Sequence, residues 1–253
     1  FELYARFSTA QNCCTASHNS MKINEAIILC GGAGTRLSTV VPNKQKALAD
    51  VHGVPVLDMI IDGLLGQGFT RIVLATGIRG DQVREHVKKY SGQKKCEIVI
   101  SEESSPLGTG GAIRNALSYI QSPHFLTING DAFFSGIDFK DALEYHLAKK
   151  ADVTLIAVNP RTEADYGAIG IAPDGRASFR EKEGVSQLMS AGAYWMDRSV
   201  MASLAEGPSS VEKDFFPHLA ATGRLYGYRS DGQVHDIGTP ERYSRANEET
   251  HLS

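Results

Sequence analysis

Short apolar runs and amphipathic segments alternate through the first half of the chain, and this alternation limits the fold more than any other feature. The apolar runs, whose length and composition are typical of buried strands, are 25–30, 71–76, 96–101 and 124–130. The segments between them, in which apolar residues recur close to helical spacing, are 54–68, 81–90 and 108–120. This order predicts an α/β fold with a mainly parallel central sheet flanked by helices.

The second half of the chain is richer in β-patterned segments. Its predicted elements are a helix at 138–150, a strand at 151–159, a hairpin over 166–182 with its turn at Pro173-Asp174-Gly175, a strand at 188–196, a helical stretch at 209–223 and a β segment at 225–238. We interpret this half as a β-rich elaboration that closes over the carboxyl edge of the sheet, where ligands bind in open α/β folds.

The length of 253 residues suits one α/β domain with a modest insertion. We predict a single domain over 21–253, built from the halves 21–135 and 136–253. Residues 1–20 are polar and irregular, and they lack the basic start and apolar centre of a signal peptide. We expect them to be a tag or an upstream extension, with Met21 as the natural start.

Charge and cysteine usage narrow the class of protein. The net charge of −3 and the lack of a basic block argue against a nucleic-acid partner. No apolar run has the length of a membrane-spanning helix, so no membrane partner is expected. The four cysteines, Cys13, Cys14, Cys30 and Cys96, lack zinc-ligand spacing. We therefore expect a reduced, cytoplasmic setting.

A glycine-rich loop, LCGGAGTRL at 29–37, follows the first predicted strand. Glycines let backbone N–H groups approach a phosphate closely, and the planar fork of Arg36 suits a polyphosphate. Leu37 stands where a dinucleotide-binding fingerprint needs Gly or Ala, and the loop lacks the Gly-Lys-Ser/Thr ending of a P-loop. On its own the loop fits either an anion site or a structural turn with an exposed arginine.

Further charged residues lie after the loop and after later strands. Lys46, ten positions after Arg36, would be an ordinary surface charge if it stood alone. The junction at 102–113 is also glycine-rich, and two such loops at neighbouring strand ends suggest one ligand that spans both. Glu103 in that junction can accept hydrogen bonds from the N–H and NH₂ groups of guanine, or can simply favour the start of a helix.

Two aspartates follow predicted strands. Asp131, in TINGDAFF, is well placed for Mg²⁺ bound together with nucleotide phosphates, and Asp236, in VHDIGTP, can supply a second carboxylate. Each can equally be a loop or capping residue. A Mg²⁺ site therefore requires that the two carboxylates lie close together in the folded chain.

The motifs GGAGTRL, PLGTGGAI, NGD, FREK, AGAYWM and DIGTP, with Lys46, occur in the order seen in sugar-1-phosphate nucleotidylyltransferases, which the chain resembles over about 22–245. It is most similar to the D-glycero-α-D-manno-heptose 1-phosphate guanylyltransferases, with mannose-1-phosphate guanylyltransferases as neighbours. The resemblance implies a Rossmann-like nucleotidyltransferase fold that joins GTP and a heptose 1-phosphate into GDP-heptose and pyrophosphate, for bacterial surface polysaccharide synthesis. It also implies Mg²⁺ as cofactor and suggests a homodimer.

The resemblance assigns roles to residues of both halves, of which 21–135 would bind nucleotide and 136–253 sugar. Catalytic roles fall on Arg36, Lys46 and Asp131. The nucleotide would be bound by Leu29, Gly31, Gly32, Gly34, Thr35, Arg36, Glu103, Pro106 and Gly108. The sugar phosphate would be bound by Tyr166, Gly167, Glu181, Lys182 and Gly192. Asp131 and Asp236 would bind Mg²⁺.

The chain departs from the family pattern at two places. Gln45-Lys46-Ala47 stands where the family usually has Pro-Lys-Pro. Loss of both prolines is expected to free that loop, with Lys44 as an alternative to Lys46. Ser190 stands where the family often has Asn.

Three alternatives remain open at this point. The first is transfer to another sugar or from another base, such as mannose 1-phosphate with GTP, or CTP, TTP or UTP as the donor. The second is a non-catalytic nucleotide sensor on the same fold. The third is an NAD(P) dehydrogenase, which Leu37 disfavours.

Overall fold

The computed structural model describes residues 25–32, 34–90, 96–161, 168–179 and 188–249. In this part of the chain the strands are β1 (Glu25–Cys30), β2 (Asp50–Val51), β3 (Val54–Pro55), β4 (Arg71–Thr76), β5 (Glu97–Glu102), β6 (His124–Asn129), β7 (Ala132–Ser135), β8 (Val153–Val158), β9 (Ala168–Ile171), β10 (Ala177–Phe179), β11 (Leu188–Asp197), β12 (Leu225–Arg229) and β13 (Gln233–Asp236). The α-helices are α1 (Val56–Gly66), α2 (Gly80–His86), α3 (Gly108–Ala116), α4 (Phe139–Lys149), α5 (Arg198–Met201), α6 (Phe216–Ala221) and α7 (Pro240–Glu249). Short 3₁₀ turns cover Leu37–Thr39, Lys46–Leu48, Val87–Tyr90 and Leu117–Tyr119, and a π-helical turn covers Val211–Phe215.

Nine of the described strands form one central sheet. Its main order is β10-β9-β11-β6-β1-β4-β5, and β8 joins it between β11 and β12. Strands β6, β1, β4 and β5 are parallel to one another, whereas β11 runs antiparallel to β6, β8 and β9. The predicted α/β class is confirmed. Because the four parallel strands point the same way, the loops after them meet at one edge of the sheet.

The apolar runs of the sequence become strands that are buried on both faces. In β1, Ala26 and Ile28 belong to the core on one face of the sheet, and Ile27 belongs to the core on the other. The first core includes α1, α2 and α4, and the second includes α3 and α6. Such double burial explains why these strands read as continuous apolar runs rather than as alternating patterns.

The two halves of the chain share this sheet and its core. Strand β11, from the second half, pairs with β6 from the first. Trp195 on β11 is 1% exposed, and its indole N–H donates to the carbonyl of Phe139 at 2.9 Å. The indole ring also stacks on Phe69, with centroids 6.1 Å apart. The core on this face of the sheet therefore extends across the boundary between the halves.

Several predicted elements differ at their ends from those observed. The predicted helix at 54–68 begins at Val56, because Val54 and Pro55 pair with β2. The helices predicted at 81–90 and 108–120 finish in 3₁₀ turns. The described part of the predicted hairpin, β9 and β10, pairs antiparallel around the predicted turn, and the rest of 166–182 lies outside the described residues.

The β segment predicted at 225–238 is two strands with different partners. Strand β12 adds to the central sheet parallel to β8, whereas β13 pairs with β7 in a separate two-stranded sheet. Strand β7 and helices α5 and α7 were not predicted from the sequence. Among the described residues, no helix has the length and apolar character needed to cross a membrane.

Candidate active site

A cleft of about 500 Å³ lies at the carboxyl edge of the parallel strands. It is lined by every residue predicted to bind nucleotide, namely Leu29, Gly31, Gly32, Gly34, Thr35, Arg36, Glu103, Pro106 and Gly108, and also by Lys46 and Asp131. A larger cavity, of about 790 Å³, lies between α3 and α5 and contains none of these residues. The smaller cleft is therefore the candidate site, since Arg36, Lys46, Glu103 and Asp131 meet there.

The glycine loop after β1 forms one wall of the cleft. Gly34 has φ +62°, a left-handed conformation that favours glycine, and its carbonyl accepts hydrogen bonds from Leu37 and Ser38 at 3.0 Å. The loop therefore leads into a 3₁₀ turn rather than into the long helix of a dinucleotide-binding fold. Arg36 is exposed, and within the described part of the chain its side chain has no hydrogen bond or ion pair.

Neighbouring groups pack tightly on both sides of this loop. A Cβ at Gly31 would lie 2.9 Å from Glu103 Oε1, and a Cβ at Gly34 would lie 3.2 Å from the Cβ of Lys46. A side chain at Gly31 would therefore push the Glu103 carboxylate away. The glycines allow the loop to pass between Glu103 and Lys46.

Lys46, rather than Lys44, reaches the cleft. The Lys46 ammonium forms an ion pair with the carboxylate of Asp131, and the lysine side chain is only 13% exposed. Lys44 instead pairs with Asp50 and is not part of the cleft lining. Loss of the prolines was expected to free the loop around Lys46, yet Gln45 is buried and makes three hydrogen bonds that hold this turn.

Asp131 and Asp236 are brought together by the pairing of β7 with β13. Asp236 lies opposite Ala132 in this ladder, and the Ile237 N–H donates to the Asp131 carbonyl at 2.9 Å. Asp236 Oδ1 accepts the Gly238 N–H, and Arg242 Nη1 lies 3.2 Å from Asp236 Oδ2. The ladder therefore brings the backbones of the two aspartates together, but Asp236 lines a neighbouring pocket with Arg242, whereas Asp131 lines the cleft.

These two carboxylates fit a magnesium ion that is shared with a phosphate ligand. Among the described residues there is no group of three or more His, Cys, Asp or Glu side chains that could form a closed metal cage. Mg²⁺ in nucleotide enzymes is usually bound by one or two carboxylates and by substrate phosphates, with water completing the octahedron. The carboxylates of Asp131 and Asp236 are oxygen donors of this kind, of which Asp131 lines the cleft.

Glu103 is fixed by the junction between β5 and α3. Its Oε2 accepts the Leu107 N–H at 3.0 Å, and its carboxylate also lies beside Gly77. Burial raises the pKa of Glu103, and the Leu107 hydrogen bond opposes that shift. A carboxylate held in this way is pre-organised to accept hydrogen bonds from a base in the cleft.

Cys30 lines the cleft next to the glycine loop. Burial raises the pKa of its thiol to about 12, with a smaller contribution from the charge of Asp131. The group is therefore a neutral thiol near pH 7, and the cleft has no thiolate nucleophile at this position.

Of the residues predicted to bind the sugar phosphate, the structure describes only Gly192. It lies on β11 with φ +68°, within the irregularity where the pairing of β11 with β8 shifts register. A Cβ there would lie 2.7 Å from the side-chain amide of Asn129, which lines the cleft. Tyr166, Gly167, Glu181 and Lys182 lie outside the described residues.

Nine further residues line the cleft that were not predicted as site residues: Cys30, Gln45, Ala47, Ile78, Thr109, Ala112, Asn129, Gly130 and Gly238. Asn129 and Gly238 belong to the TINGD and DIGTP motifs, so the spacing to Asp131 and Asp236 was a signal that could have found them. Nothing in the local pattern distinguishes Gln45 from an exposed loop amide.

Comparison with known proteins defines the class. The Nucleotidyl transferase family matches residues 25–252, so the chain belongs to this family, as its motifs predicted. The chain is 36% identical over 232 residues to the D-glycero-alpha-D-manno-heptose 1-phosphate guanylyltransferase of Aneurinibacillus thermoaerophilus, covering 89% of this chain and 97% of that protein.

One solved structure and one further relative are also similar to this chain. The crystal structure of HddC from Yersinia pseudotuberculosis complexed with GMP-PN superposes with a TM-score of 0.78 at 30% identity, over 90% of this chain and 99% of that one. The mannose-1-phosphate guanyltransferase of Schizosaccharomyces pombe is 30% identical over 87% of this chain, which spans 62% of that protein.

Proposed function

We propose that this protein is a sugar-1-phosphate guanylyltransferase that joins GTP to D-glycero-α-D-manno-heptose 1-phosphate, giving GDP-heptose and pyrophosphate. The observation on which this depends most is that Arg36, Lys46, Glu103 and Asp131 all line one cleft at the sheet edge. The 36% identity to a heptose 1-phosphate guanylyltransferase, over nearly the whole of both chains, supports the choice of substrates.

The reaction that fits the cleft is an in-line displacement. A phosphate oxygen of the sugar 1-phosphate attacks the α-phosphorus of GTP, a new P–O bond forms, and the bond to pyrophosphate breaks. No general base is needed, since a phosphate monoester is largely dianionic near pH 7, its second pKa being about 6. The difficulty is the mutual repulsion of two polyanions, so catalysis is positioning plus electrostatic stabilisation.

The residues of the site would have separate roles in this reaction. Arg36 and the amides of the glycine loop would hold the triphosphate, and Lys46 would orient the reacting phosphates. Asp131 and Asp236 would hold Mg²⁺ together with the phosphates, and the ion supplies neutralisation of the polyphosphate charge when it is bound. Glu103 would accept hydrogen bonds from guanine, with Pro106 and Gly108 beside the base.

The remaining assignments rest on similarity alone. Tyr166, Gly167, Glu181, Lys182 and Gly192 would bind the sugar phosphate. The half at 21–135 would hold nucleotide and the half at 136–253 the sugar. Function in bacterial surface polysaccharide synthesis, a cytoplasmic location and a homodimer complete the proposal.

Mannose-1-phosphate guanylyltransferase is the second candidate, favoured by the relatives of that activity at about 30% identity. A non-catalytic sensor is disfavoured because Arg36, Lys46 and both aspartates are present. The test is pyrophosphate release with Mg²⁺, measured for GTP, CTP, TTP and UTP, each crossed with heptose, mannose and glucose 1-phosphates. We expect the highest kcat/KM with GTP and heptose 1-phosphate. Release with no combination would refute the proposal.

A further inference from the structure

We propose that Gln45 is a positioning residue that sets the place of Lys46 in the cleft through its side-chain amide. This rests on the proposed function, since it gives Lys46 a role at the reacting phosphates. Gln45 stands where the family pattern has the first proline of Pro-Lys-Pro, whose ring would fix the backbone at this point.

The backbone at Gln45 already has the shape that a proline ring would impose. Its φ is −65° and its ψ is 137°, and the 3₁₀ turn Lys46–Leu48 begins directly after it. A proline fixes φ near −65° covalently. A glutamine has no such constraint, so the observed conformation must be held by contacts.

Both atoms of the Gln45 amide group supply such contacts. Oε1 accepts the Ala47 N–H at 2.5 Å, and Nε2 donates to the Cys30 carbonyl at 2.5 Å. One partner can only donate and the other can only accept, so the orientation of the amide is unambiguous. Cys30 is the last residue of β1, immediately before the glycine loop. The side chain therefore ties the turn that bears Lys46 to the base of that loop.

A third contact joins the same turn to helix α2. The backbone N–H of Gln45, which a proline would lack, donates to Gln82 Oε1 at 2.7 Å. Gln82 Nε2 in turn donates to the Asn43 carbonyl at 2.9 Å. Since Gln45 is only 2% exposed, loss of its side chain would leave buried backbone groups without partners.

The position of Lys46 depends on this turn. A lysine side chain has four rotatable bonds, so the place of its ammonium is set by its backbone and by packing at its stem. The stem lies against Gly34, and the ammonium pairs with Asp131 at the far side of the cleft. A small rotation of the turn would move the Lys46 stem away from Gly34 and the ammonium away from the Asp131 carboxylate.

The test combines Gln45→Ala, Lys46→Ala and the double variant, with Gln67→Ala as a matched control. Gln67 also bridges two backbone groups: Nε2 donates to the Ile137 carbonyl at 3.0 Å, and Oε1 accepts the Phe139 N–H at 2.9 Å. It does not line the cleft. Gln67→Ala therefore removes a pair of side-chain hydrogen bonds to two backbone groups, at a partly exposed position, without touching Lys46.

We expect Gln45→Ala to lower kcat by about 10-fold or more, because a displacement of about 1 Å at a reacting group can cost about 10²-fold. The double variant should be no slower than Lys46→Ala, since a residue that acts through Lys46 has no effect without it. Gln67→Ala should keep wild-type kcat. The Ala47 amide should exchange hydrogen faster in Gln45→Ala, as a readout independent of activity.

Additive losses in the double variant, or an equal loss of kcat in Gln67→Ala, would overturn the proposal. So would near-normal kcat in folded Gln45→Ala while Lys46→Ala is impaired, and that result would leave the proposed function standing. Absence of turnover in the wild type would instead refute the function. If Gln45→Ala does not fold, Gln45→Met replaces it, because methionine nearly keeps the side-chain volume and removes both amide hydrogen bonds.

Discussion

The charged residues of the cleft differ in whether they already have partners. Lys46 and Asp131 neutralise each other, and Asp236, in the neighbouring pocket, is held by Gly238 and Arg242. Arg36 is exposed and has no charged partner within the described residues. A triphosphate would therefore gain most from Arg36, since its guanidinium gives up no existing ion pair when it binds.

Arg36→Ala is expected to lower kcat by at least about 10²-fold, the effect of removing one donor that stabilises charge in the transition state. Arg198→Ala is the matched control, because Arg198 is also an exposed arginine but lies at the other cavity. Steady-state pyrophosphate release measures both variants. Near-normal turnover of Arg36→Ala would remove this arginine from the mechanism.

Asp131→Ala and Asp236→Ala are each expected to abolish Mg²⁺-dependent turnover while the fold is retained. Both residues are partly exposed at the end of the β7–β13 ladder, so neither replacement creates a core cavity. Circular dichroism and magnesium titrations of activity check this, with the exposed Asp231→Ala as control. A folded variant that still responds to Mg²⁺ would exclude that aspartate from the metal site.

Helix α4 is joined to the sheet by a buried histidine. His146 is 0% exposed, and its Nδ1 lies 2.9 Å from Thr154 Oγ1 on β8. Its Nε2 lies 3.1 Å from Nδ1 of His124, which in turn is 4.0 Å from Asp197. Burial lowers the pKa of His146 to about 4, the charge of His124 adds to this shift, and Asp197 opposes it.

The free energy of unfolding should therefore fall as the pH is lowered from about 6.5 towards 4. In that window an unfolded histidine binds a proton, while the folded His146 stays neutral until the pH reaches its own pKa of about 4. Denaturant unfolding at several pH values measures the slope. His146→Gln, which cannot titrate, should show a shallower slope, and an unchanged slope would contradict the assignment.

The strands predicted from the sequence are those whose apolar pattern can be recognised within the strand itself. Strands β1, β4 and β6 are buried on both faces, so their apolar runs are visible without knowledge of their neighbours. The pairing of β7 with β13 joins segments about 100 residues apart, and nothing in either short sequence indicates the other. Helix α7 was missed because PERYSRANEE is mostly polar and has one buried apolar residue, Ala246.

The candidate site was predictable to a similar extent. The glycine loop, Lys46 and Asp131 follow strand ends, so their meeting at one edge follows from a parallel sheet. The burial of Gln45 was not predictable, since it depends on the Cys30 carbonyl, 15 residues away, and on Gln82 of α2. A polar residue in a loop is normally exposed, and only the folded chain supplies the partners that bury this one.

The central sheet and the cores on its two faces connect the two halves of the chain. Trp195, the only tryptophan, lies on β11 and stacks on Phe69, which belongs to the first half. Its fluorescence therefore reports on the contact between the halves, whereas far-ultraviolet circular dichroism reports on all helices and strands.

We expect the two signals to change together in a single unfolding transition, because neither half retains its core when the contact between β6 and β11 is lost. Denaturant titrations followed by both probes, with calorimetry, measure this. Two separated transitions would show that the halves are independent folding units and would contradict the single-domain prediction.

The ion pair of Lys46 with Asp131 couples the binding of a phosphate to the binding of a cation. When the Lys46 ammonium binds a phosphate instead of Asp131, the Asp131 carboxylate becomes available to a cation. A cation bound at Asp131 likewise makes the Lys46 ammonium available to a phosphate. Thermodynamic linkage makes these two effects equal in size. The nucleotide and its metal are therefore expected to bind with positive cooperativity, each raising the affinity of the cleft for the other.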